Sequence, residues 1–295
     1  MAAKKDRTIL VTGATGKQGG AAFRHLKQRG FALRALVRDP EKPEVRALEG
    51  SRLEVVRGDF DDPESIERAL DGADGAYSVQ AWQAGPETEI RQGIAFAEAA
   101  NRQEIGHFVY SSVAGAEQHT GIPHFESKGK IEERIRQIGM PYTILRPVFF
   151  MENWFMMRDG IENGAIMLPL SPQTRLQMVA VDDIGAFVAL AFEHPGRWHN
   201  QAFDLAGDEL SMTELAEAFT RAAGREVRYQ QVPWDRFQQQ AGDELTVMYR
   251  WFEEHGYHVD IAAVRQHYPG LTHFTRWLEQ NWRRPAAHRA SGGKS

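Results

Sequence analysis

The chain has 295 residues, of which 42% are hydrophobic and 25% are charged, a composition typical of a globular protein with a large core. Its formal net charge of −5 gives no basic field for nucleic acid or for an anionic membrane. The absence of cysteine excludes disulfides and cysteine nucleophiles and fits a reducing compartment. The longest apolar run, residues 184–192, is far shorter than the ~18 residues of a spanning helix, and the first residues lack the apolar core of a signal peptide. We therefore expect a cytoplasmic protein that binds no membrane and has no direct contact with nucleic acid.

Strand-like and helix-like segments alternate through the first half of the chain. Short β-branched and aliphatic runs predict six strands, at Thr8–Val11, Leu33–Val37, Leu53–Val56, Ala76–Val79, His107–Ser111 and Tyr142–Leu145. Helical periodicity lies between them, for example over Gly16–Arg29 and His124–Gly139. Such alternation predicts βαβ units, and therefore an α/β fold in which helices cover both faces of a parallel sheet.

The alternation breaks in the second half of the chain. Residues 148–157 are rich in Phe, Met and Trp, and most of the remaining chain to about Trp282 is predicted to be helical. Val181–Phe192 predicts an apolar helix, and Ala202–Leu205 predicts a late strand that returns to the sheet. Ser211 is followed three residues later by Glu214, which is the pattern of a capping box at a helix N-terminus.

Three glycines with GxxGxxG spacing lie in Thr12–Gly20, between the first predicted strand and the first predicted helix. Of Gly13, Gly16 and Gly19, one turns the chain sharply, one lets the backbone approach a pyrophosphate, and one lets helix and strand pack closely. The helix N-terminus then presents N–H groups to the anion. In this context the pattern predicts a dinucleotide site, and the alternative is a structural turn that binds no ligand.

The residues after the second and third strands bear on which nucleotide is bound. An NAD site usually places Asp or Glu at the end of the second strand, where it holds the ribose 2′-hydroxyl. This chain has Arg38 there, with Lys42 nearby, and a guanidinium suits a 2′-phosphate. We expect NADP(H), with NAD(H) as the alternative, because a one-residue shift of register would put Asp39 at that place. Asp59 and Phe60 follow the third strand, where they either meet the adenine or form a helix-capping turn.

Six motifs occur in an order that resembles the NmrA-like family, atypical members of the short-chain dehydrogenase/reductase superfamily. They are GATGKQGG, LVRDP, RGDFDD, PHFESKGKIEERI, ILRPVFFMENW and VAVDDIG. The resemblance extends from about Ile9 to Trp282. It implies a Rossmann-type, doubly wound parallel sheet with a smaller, mostly helical C-terminal lobe over the nicotinamide end, and NADP(H) as the ligand.

The same resemblance indicates how the chain is divided. We expect residues 1–150, with residues 179–205 returning to them, to form an NADP(H)-binding domain. Residues 151–178 and 206–282 then form the substrate or partner lobe, and residues 283–295 form a disordered tail. The candidate cofactor-binding residues are Gly13, Thr15, Gly16, Lys17, Gln18, Gly19, Arg38, Lys42, Asp59, Phe60 and Lys128.

The active-site motif departs from the pattern of the superfamily. Typical members carry Tyr-x-x-x-Lys, in which the tyrosine exchanges a proton and the lysine lowers its pKa while holding the nicotinamide ribose. The corresponding stretch here keeps Lys128 but has His124 in place of the tyrosine. Lys128 is the candidate ribose contact, and His124 is a candidate acid, although a helix N-terminus disfavours its charged form. Ser111 and Ser112 end the fifth strand, where the catalytic serine of the superfamily lies, and strand-end serines are also common without a role.

The aromatic and methionine-rich segment Val148–Met157 follows the last strand of the first half. Because ligands of open α/β sheets bind beyond the carboxyl ends of strands, this segment is placed to border the nicotinamide. It would form an adaptable apolar wall for a flat substrate or for a partner's side chains, and the alternative is core between the lobes. Trp82, after the fourth strand, has the same two interpretations. No motif indicates a metal site or a hydrolase.

Two functions remain open from the sequence. The first is a nucleotide or redox sensor that binds NADP(H) and acts on a regulatory protein. It is motivated by an intact nucleotide loop beside a missing tyrosine, and it is slightly favoured because the HFESKGKIEE stretch resembles the sensor-type members of the family. The second is an NADPH-dependent oxidoreductase, which reduces an apolar quinone-, azo- or enone-type acceptor by direct hydride transfer with Lys128, His124 and Ser111 as catalytic candidates. A homodimer is a further candidate assembly.

Overall fold

The structure, a computed structural model, describes residues 7–48 and 50–282. The strands are β1 Thr8–Thr12, β2 Ala32–Val37, β3 Leu53–Arg57, β4 Gly75–Ser78, β5 His107–Ser111, β6 Tyr142–Pro147, β7 Phe149–Phe150, β8 Ala165–Leu168, β9 Arg175–Val179, β10 Gln201–Leu205, β11 Asp208–Ser211 and β12 Arg228–Gln231. The α-helices are α1 Lys17–Gln28, α2 Pro43–Arg46, α3 Pro63–Leu70, α4 Pro86–Arg102, α5 Pro123–Ile138, α6 Arg158–Glu162, α7 Val181–Glu193, α8 Pro195–Trp198, α9 Met212–Ala223, α10 Trp234–Ala241, α11 Asp243–Glu254, α12 Ile261–His267 and α13 Phe274–Asn281. Short 3₁₀-helices lie at Trp82–Ala84 and Met151–Met157.

Seven parallel strands form the central sheet in the order β10-β6-β5-β4-β1-β2-β3. The order reverses between β1 and β4, because the chain builds outward from β1 through β2 and β3 and then returns to the other side of β1. In sheets of this kind ligands bind beyond the carboxyl ends of the strands at such a reversal. The doubly wound α/β fold predicted from the alternation is confirmed, and all six predicted strands are present.

Helices cover both faces of this sheet and create two hydrophobic clusters. On one face α3, α4 and α5 pack through a cluster that includes Phe96, Phe108 and Ile131. On the other face α1 packs against α7 and joins the larger cluster, which continues into the C-terminal lobe. The α1–α7 contact is so close that a Cβ on Gly185 would lie 2.5 Å from the carbonyl carbon of Ala21.

The C-terminal lobe is mostly helical, as expected, and it also contains two small sheets that the sequence pattern did not indicate. Strands β11, β9 and β7 form one, and β12 pairs with β8 in the other. These strands have two to five residues. These segments show no clear period of two, and no regular alternation of strand and helix marks them as it does in the first half, which explains why they were not predicted.

Two local predictions in the second half are confirmed. The late strand β10 returns to the central sheet and pairs with β6 in parallel. Ser211 caps α9, since its hydroxyl accepts the N–H of Glu214 at 3.2 Å while its own N–H donates to the Glu214 carboxylate at 2.7 Å. The predicted tail, residues 283–295, lies outside the described residues. Within the described part of the chain, none of the helices has the length and apolar character needed to span a membrane.

Candidate active site

The glycine loop joins β1 to α1 at the carboxyl edge of the central sheet. Gly13 has φ +61°, and its carbonyl accepts the N–H of Gly16 at 2.8 Å, so that the chain turns tightly. A Cβ on Gly19 would lie 2.1 Å from the carbonyl oxygen of Gly13 and 2.5 Å from that of Thr12. The sharp turn and the close approach of helix to strand therefore both require glycine.

Helix α1 begins at this loop without a side-chain cap from the described residues. The N–H groups of its first turn have no partner inside the helix, so they can donate to an anion such as a pyrophosphate. Lys17 is exposed at this turn and lines a polar cleft of about 500 Å³ together with Glu152 and Asp182. The backbone N–H groups at the start of α1 are therefore the groups of this loop that can bind a phosphate.

A second cleft, of about 350 Å³, extends from the glycine loop across the carboxyl ends of β2 and β3. It brings together most of the predicted nucleotide residues, namely Gly13, Thr15, Arg38, Lys42, Asp59 and Phe60. Gly19 is buried beneath the loop, whereas Gln18 and Lys128 lie on the side of β5. The predicted residues are therefore split between the β2–β3 end and the β5 end of one edge of the sheet.

Arg38 directly follows β2 and is exposed in this second cleft. Among the described residues, neither its guanidinium nor the ammonium of Lys42 has an ion-pair partner. The neighbouring Asp39 carboxylate accepts the N–H of Glu41 at 2.9 Å, a bond within its own turn. The two cations are thus available to an anionic group such as a 2′-phosphate. One oxygen of the Asp39 carboxylate, the alternative residue for holding a ribose 2′-hydroxyl, is already bonded.

Asp59 and Phe60 lie in the turn between β3 and α3, beside the second cleft. Both line the second cleft, and Phe60 also packs edge-on against Phe96 with ring centres 5.5 Å apart. The backbone N–H of Asp59 donates to the Ser65 hydroxyl at 3.0 Å. The side chain that caps α3 is that of Asp62, whose carboxylate accepts the N–H of Ser65 at 3.3 Å. Asp59 is therefore not the helix cap.

Two adjacent serines at the end of β5 have different partners. The hydroxyl of Ser111, which is fully buried, donates to the side-chain oxygen of Gln18 at 2.5 Å, so this serine is connected to the first turn of α1. The hydroxyl of Ser112 donates to Glu132 at 2.5 Å, and Glu132 also accepts two bonds from Arg146, at 2.6 and 2.9 Å. Ser112 thus belongs to a buried ion cluster, and only Ser111 contacts a predicted cofactor residue.

Lys128 lies on α5 with only 10% of its side chain exposed. Its Nζ donates to one carboxylate oxygen of Glu89 at 2.7 Å, and the Ser127 hydroxyl bonds to the other oxygen. Glu89, in the first turn of α4, is completely buried. The Lys128 ammonium also lies 5.9 Å from the centre of the Tyr110 ring, an arrangement that attracts a cation.

His124 connects the nucleotide side of the molecule to the C-terminal lobe. Its Nδ1 lies 2.7 Å from a carboxylate oxygen of Glu244 in α11, and its ring packs against Trp82 with centres 5.4 Å apart. Burial lowers the pKa of His124, and the hydrogen bond with Glu244 opposes this only in part. At neutral pH the imidazole is therefore neutral and donates its Nδ1–H to Glu244, which makes it a weak source of protons.

The aromatic segment after β6 is mainly core. Trp154 is fully buried and its indole N–H donates to the sulfur of Met178 at 3.2 Å. Phe149 packs edge-on against Phe252 of α11, with ring centres 6.2 Å apart. Met156, by contrast, is 76% exposed. The alternative interpretation, core between the lobes, is correct for the buried part of this segment.

Two carboxylates at this site, Glu89 and Glu244, were not among the predicted residues. Each lies in the first turn of its helix, a position where acidic residues are common because they favour the helix dipole. Nothing in the local sequence therefore distinguishes them from ordinary surface acids. Across the described residues there is no group of three or more His, Asp or Glu side chains placed to hold a metal ion.

Comparison with known proteins gives three kinds of relative. The NAD(P)H azoreductase of Xenophilus azovorans is 32% identical over 223 residues, which are 75% of this chain and 76% of that protein. The solved triphenylmethane reductase of Citrobacter sp. superposes with a TM-score of 0.82 at 24% identity, covering 92% of this chain and 98% of that one. NmrA, a negative transcriptional regulator solved in complex with NADP, superposes with a TM-score of 0.77 at 22% identity, covering 94% and 95%.

The structural likenesses, at these identities, establish the fold alone. The sequence model of the NmrA-like family matches residues 5–278, nearly the whole chain. Together with the azoreductase relative, this match agrees with the motifs found along the sequence. The chain therefore belongs to the NmrA-like family.

Proposed function

We propose that the protein binds NADP(H) in preference to NAD(H), with the pyrophosphate on the glycine loop and the adenosine in the cleft that ends β2 and β3. The unpaired cations Arg38 and Lys42 support this preference, because a guanidinium forms strong paired bonds with a phosphate. Phe60 and Asp59 would border the adenine. In this proposal residues 1–150 and 179–205 form the nucleotide-binding domain, and residues 151–178 and 206–282 form the substrate or partner lobe.

We infer that the activity is NADPH-dependent reduction of a flat apolar acceptor of the quinone, azo or enone type. The observation that carries this inference is the buried ammonium of Lys128 beside the edge of the sheet where the nicotinamide would lie. A buried ion pair has a desolvation cost of several kcal/mol, so its presence at this edge favours a chemical role. The azoreductase relative supports the same class of acceptor.

The residues of this chain would act on the proton and on the geometry of the reaction. When bound, the dinucleotide supplies the hydride, so the acceptor must also receive one proton on its oxygen or nitrogen. The Lys128 ammonium can donate a hydrogen bond to the ribose or to the acceptor, and the proton comes from this ammonium or from solvent water. Ser111 would hold the first turn of α1 through Gln18, and Trp82 would offer an aromatic surface to a planar acceptor. His124, neutral and bonded to Glu244, would orient this surface.

The nucleotide preference is tested with two neighbouring substitutions. We expect Arg38→Ala to raise the KM for NADPH at least about tenfold, which corresponds to the loss of one charge-assisted contact of ~1.4 kcal/mol or more. Asp39→Asn, the matched control, should leave the KM for NADPH within about twofold, because its carboxylate is bonded within its own turn. The measurement is the initial rate of NADPH and of NADH oxidation with a panel of quinones, azo dyes and enones. If Asp39→Asn instead weakened NADH use and Arg38→Ala had no effect, the protein would be NAD-specific.

A second candidate function is a nucleotide sensor, and one contact favours it. The His124–Glu244 bond joins α5, beside the nucleotide edge, to α11 of the lobe, so that cofactor binding has a physical route to the lobe. The regulator NmrA, which has the same fold, has been solved with NADP. A protein that binds NADPH but oxidises it with no acceptor in the panel would favour this function over the reductase.

A further inference from the structure

The carboxylate that contacts Lys128 has an unusual environment. Glu89 is completely buried, and both of its carboxylate oxygens have partners, the Lys128 ammonium on one and the Ser127 hydroxyl on the other. A carboxylate and an ammonium that leave water lose far more hydration than a surface pair does. Replacing such a pair with apolar side chains is often neutral or stabilising, so stability alone is a poor reason for this arrangement.

The same two helices already have a second ion pair that can serve as a comparison. Glu98 of α4 accepts two bonds from Arg134 of α5, at 2.7 and 2.9 Å, and about 40% of each of these side chains is exposed. That pair connects α4 to α5 without burying charge. The connection between these helices therefore does not need Glu89.

The geometry around Nζ leaves part of the ammonium unused. A lysine ammonium has three N–H donors, and one of them is bonded to Glu89 at 2.7 Å. Nζ also lies 5.9 Å from the centre of the Tyr110 ring, which attracts the positive charge but is not a strong hydrogen-bond acceptor. The remaining donors can bond to a ribose hydroxyl or to an acceptor atom.

We propose that Glu89 is a positioning residue for the reaction: it fixes the Lys128 side chain in one orientation. Ser127 in turn fixes the carboxylate by bonding to its second oxygen. This inference rests on the proposed function of Lys128, since it assigns the residue that prepares Lys128 for that function.

The test measures Lys128 itself as well as turnover. The full-length protein is labelled with a limiting amount of acetic anhydride at one pH, with and without NADPH, and the acetylation of Lys128 is quantified by mass spectrometry. We expect NADPH to protect Lys128 from acetylation in the wild type. In Glu89→Gln we expect this protection to be lost and kcat to fall at least about fivefold with a smaller change in KM, because the ammonium is no longer held in place. Glu98→Gln, which removes the comparison pair, should keep the protection and leave kcat within about twofold.

Two further variants keep the test valid if Glu89→Gln does not fold. Glu89→Asp keeps the charge but shortens the side chain, and Ser127→Ala frees the carboxylate from its second partner. Both should reduce the protection of Lys128 by NADPH and lower kcat at least about fivefold with a smaller change in KM, because the Lys128 side chain is no longer held in one orientation.

Unchanged protection of Lys128 by NADPH and unchanged kcat in Glu89→Gln would overturn the proposal, as would full kcat in both Glu89→Asp and Ser127→Ala. If the wild type reduces no acceptor in the panel, the reductase function fails, but the protection of Lys128 by NADPH, compared between the wild type and Glu89→Gln, still decides whether Glu89 positions Lys128. The two failures are therefore distinguishable.

Discussion

Gly19 is a residue at which the nucleotide site has no room for any side chain. It lies inside the first turn of α1, where the nearest atoms are backbone carbonyls of the preceding loop. Backbone atoms cannot rotate away as a flexible side chain can, so even one methyl group must displace the loop. The position is therefore sensitive to substitution although it has no chemistry of its own.

We expect Gly19→Ala to weaken NADPH binding at least about tenfold, because the added Cβ would lie 2.1 Å from the Gly13 carbonyl oxygen and would move the loop that holds the pyrophosphate. Titration of intrinsic protein fluorescence with NADPH measures the dissociation constant. Gly196→Ala is the control, since a Cβ at that position meets no atom within 4 Å. Equal affinities in Gly19→Ala and the wild type would show that the loop adapts to the methyl group.

At the residue scale, the sequence predicted a functional role where neighbouring residues form a recognisable motif. The glycines of the loop were recognisable from their spacing between a strand and a helix, and Lys128 from the resemblance to the Tyr-x-x-x-Lys motif. Glu89 and Glu244 were not, because their partners lie 39 and 120 residues away in the sequence. A long-range contact of this kind leaves no trace in the local pattern.

At the element scale, α7 connects the nucleotide side to the C-terminal segment through a buried acid. Asp183, in its first turn, is 3% exposed and accepts the N–H and the hydroxyl of Thr272, at 2.9 and 3.0 Å. Burial raises the pKa of Asp183 to about 6, and the two bonds from Thr272 oppose that rise. The folded protein therefore binds this proton more tightly than the unfolded chain does.

The sign of the pH dependence follows from that difference. The contribution of Asp183 to stability is greatest below its ordinary pKa of 3.8 and decreases as the pH rises towards 6. We expect the free energy of unfolding of the wild type, relative to Asp183→Asn, to fall by about 2 kcal/mol between pH 4.5 and pH 7.5. Urea denaturation of both proteins at the two pH values measures it. A difference that did not change with pH would mean that Asp183 does not titrate in this range, whatever the constant cost of the substitution.

The short elements of the lobe show why boundaries and small sheets were harder to predict than the central fold. The six predicted strands of the first half are four to six residues long and, apart from β3, mostly buried, so their apolar runs are conspicuous. Strand β7 has only the two residues FF, inside a longer apolar segment, and β12 has the sequence RYQQ, so neither stands out as a strand. These strands exist because the lobe brings them beside β9 and β8.

At the scale of the whole molecule, the His124–Glu244 bond is a contact between the nucleotide edge and α11. We expect NADPH to slow hydrogen exchange of the α11 amides at least about threefold, because binding beside α5 restricts the residue that holds α11. Glu244→Ala should remove that protection, whereas Glu254→Ala, at the exposed end of the same helix, should keep it. Hydrogen exchange measured by mass spectrometry on the full chain resolves α11 from α5.

The outcome also bears on the choice between the two functions. Protection of α11 that depends on Glu244, without turnover of any acceptor, would favour the sensor. Turnover with no change in α11 would exclude this contact as a route of signalling. Protection that persisted in Glu244→Ala would mean that the lobe responds through another contact, such as the packing of Phe125 against Trp251.

The sequence by itself determined the parallel α/β fold, the glycine loop, the capping box of α9 and the family, because each depends on residues that are close together in the chain or on the period of short segments. Tertiary structure decided which groups meet at the carboxyl edge of the sheet. It paired Lys128 with Glu89, connected Ser111 to Gln18, assigned Ser112 to the Glu132–Arg146 cluster, and buried Trp154 in the core between the lobes. The physical reason is that a side chain's environment depends on the elements packed around it, and the sheet brings together segments that the chain keeps apart.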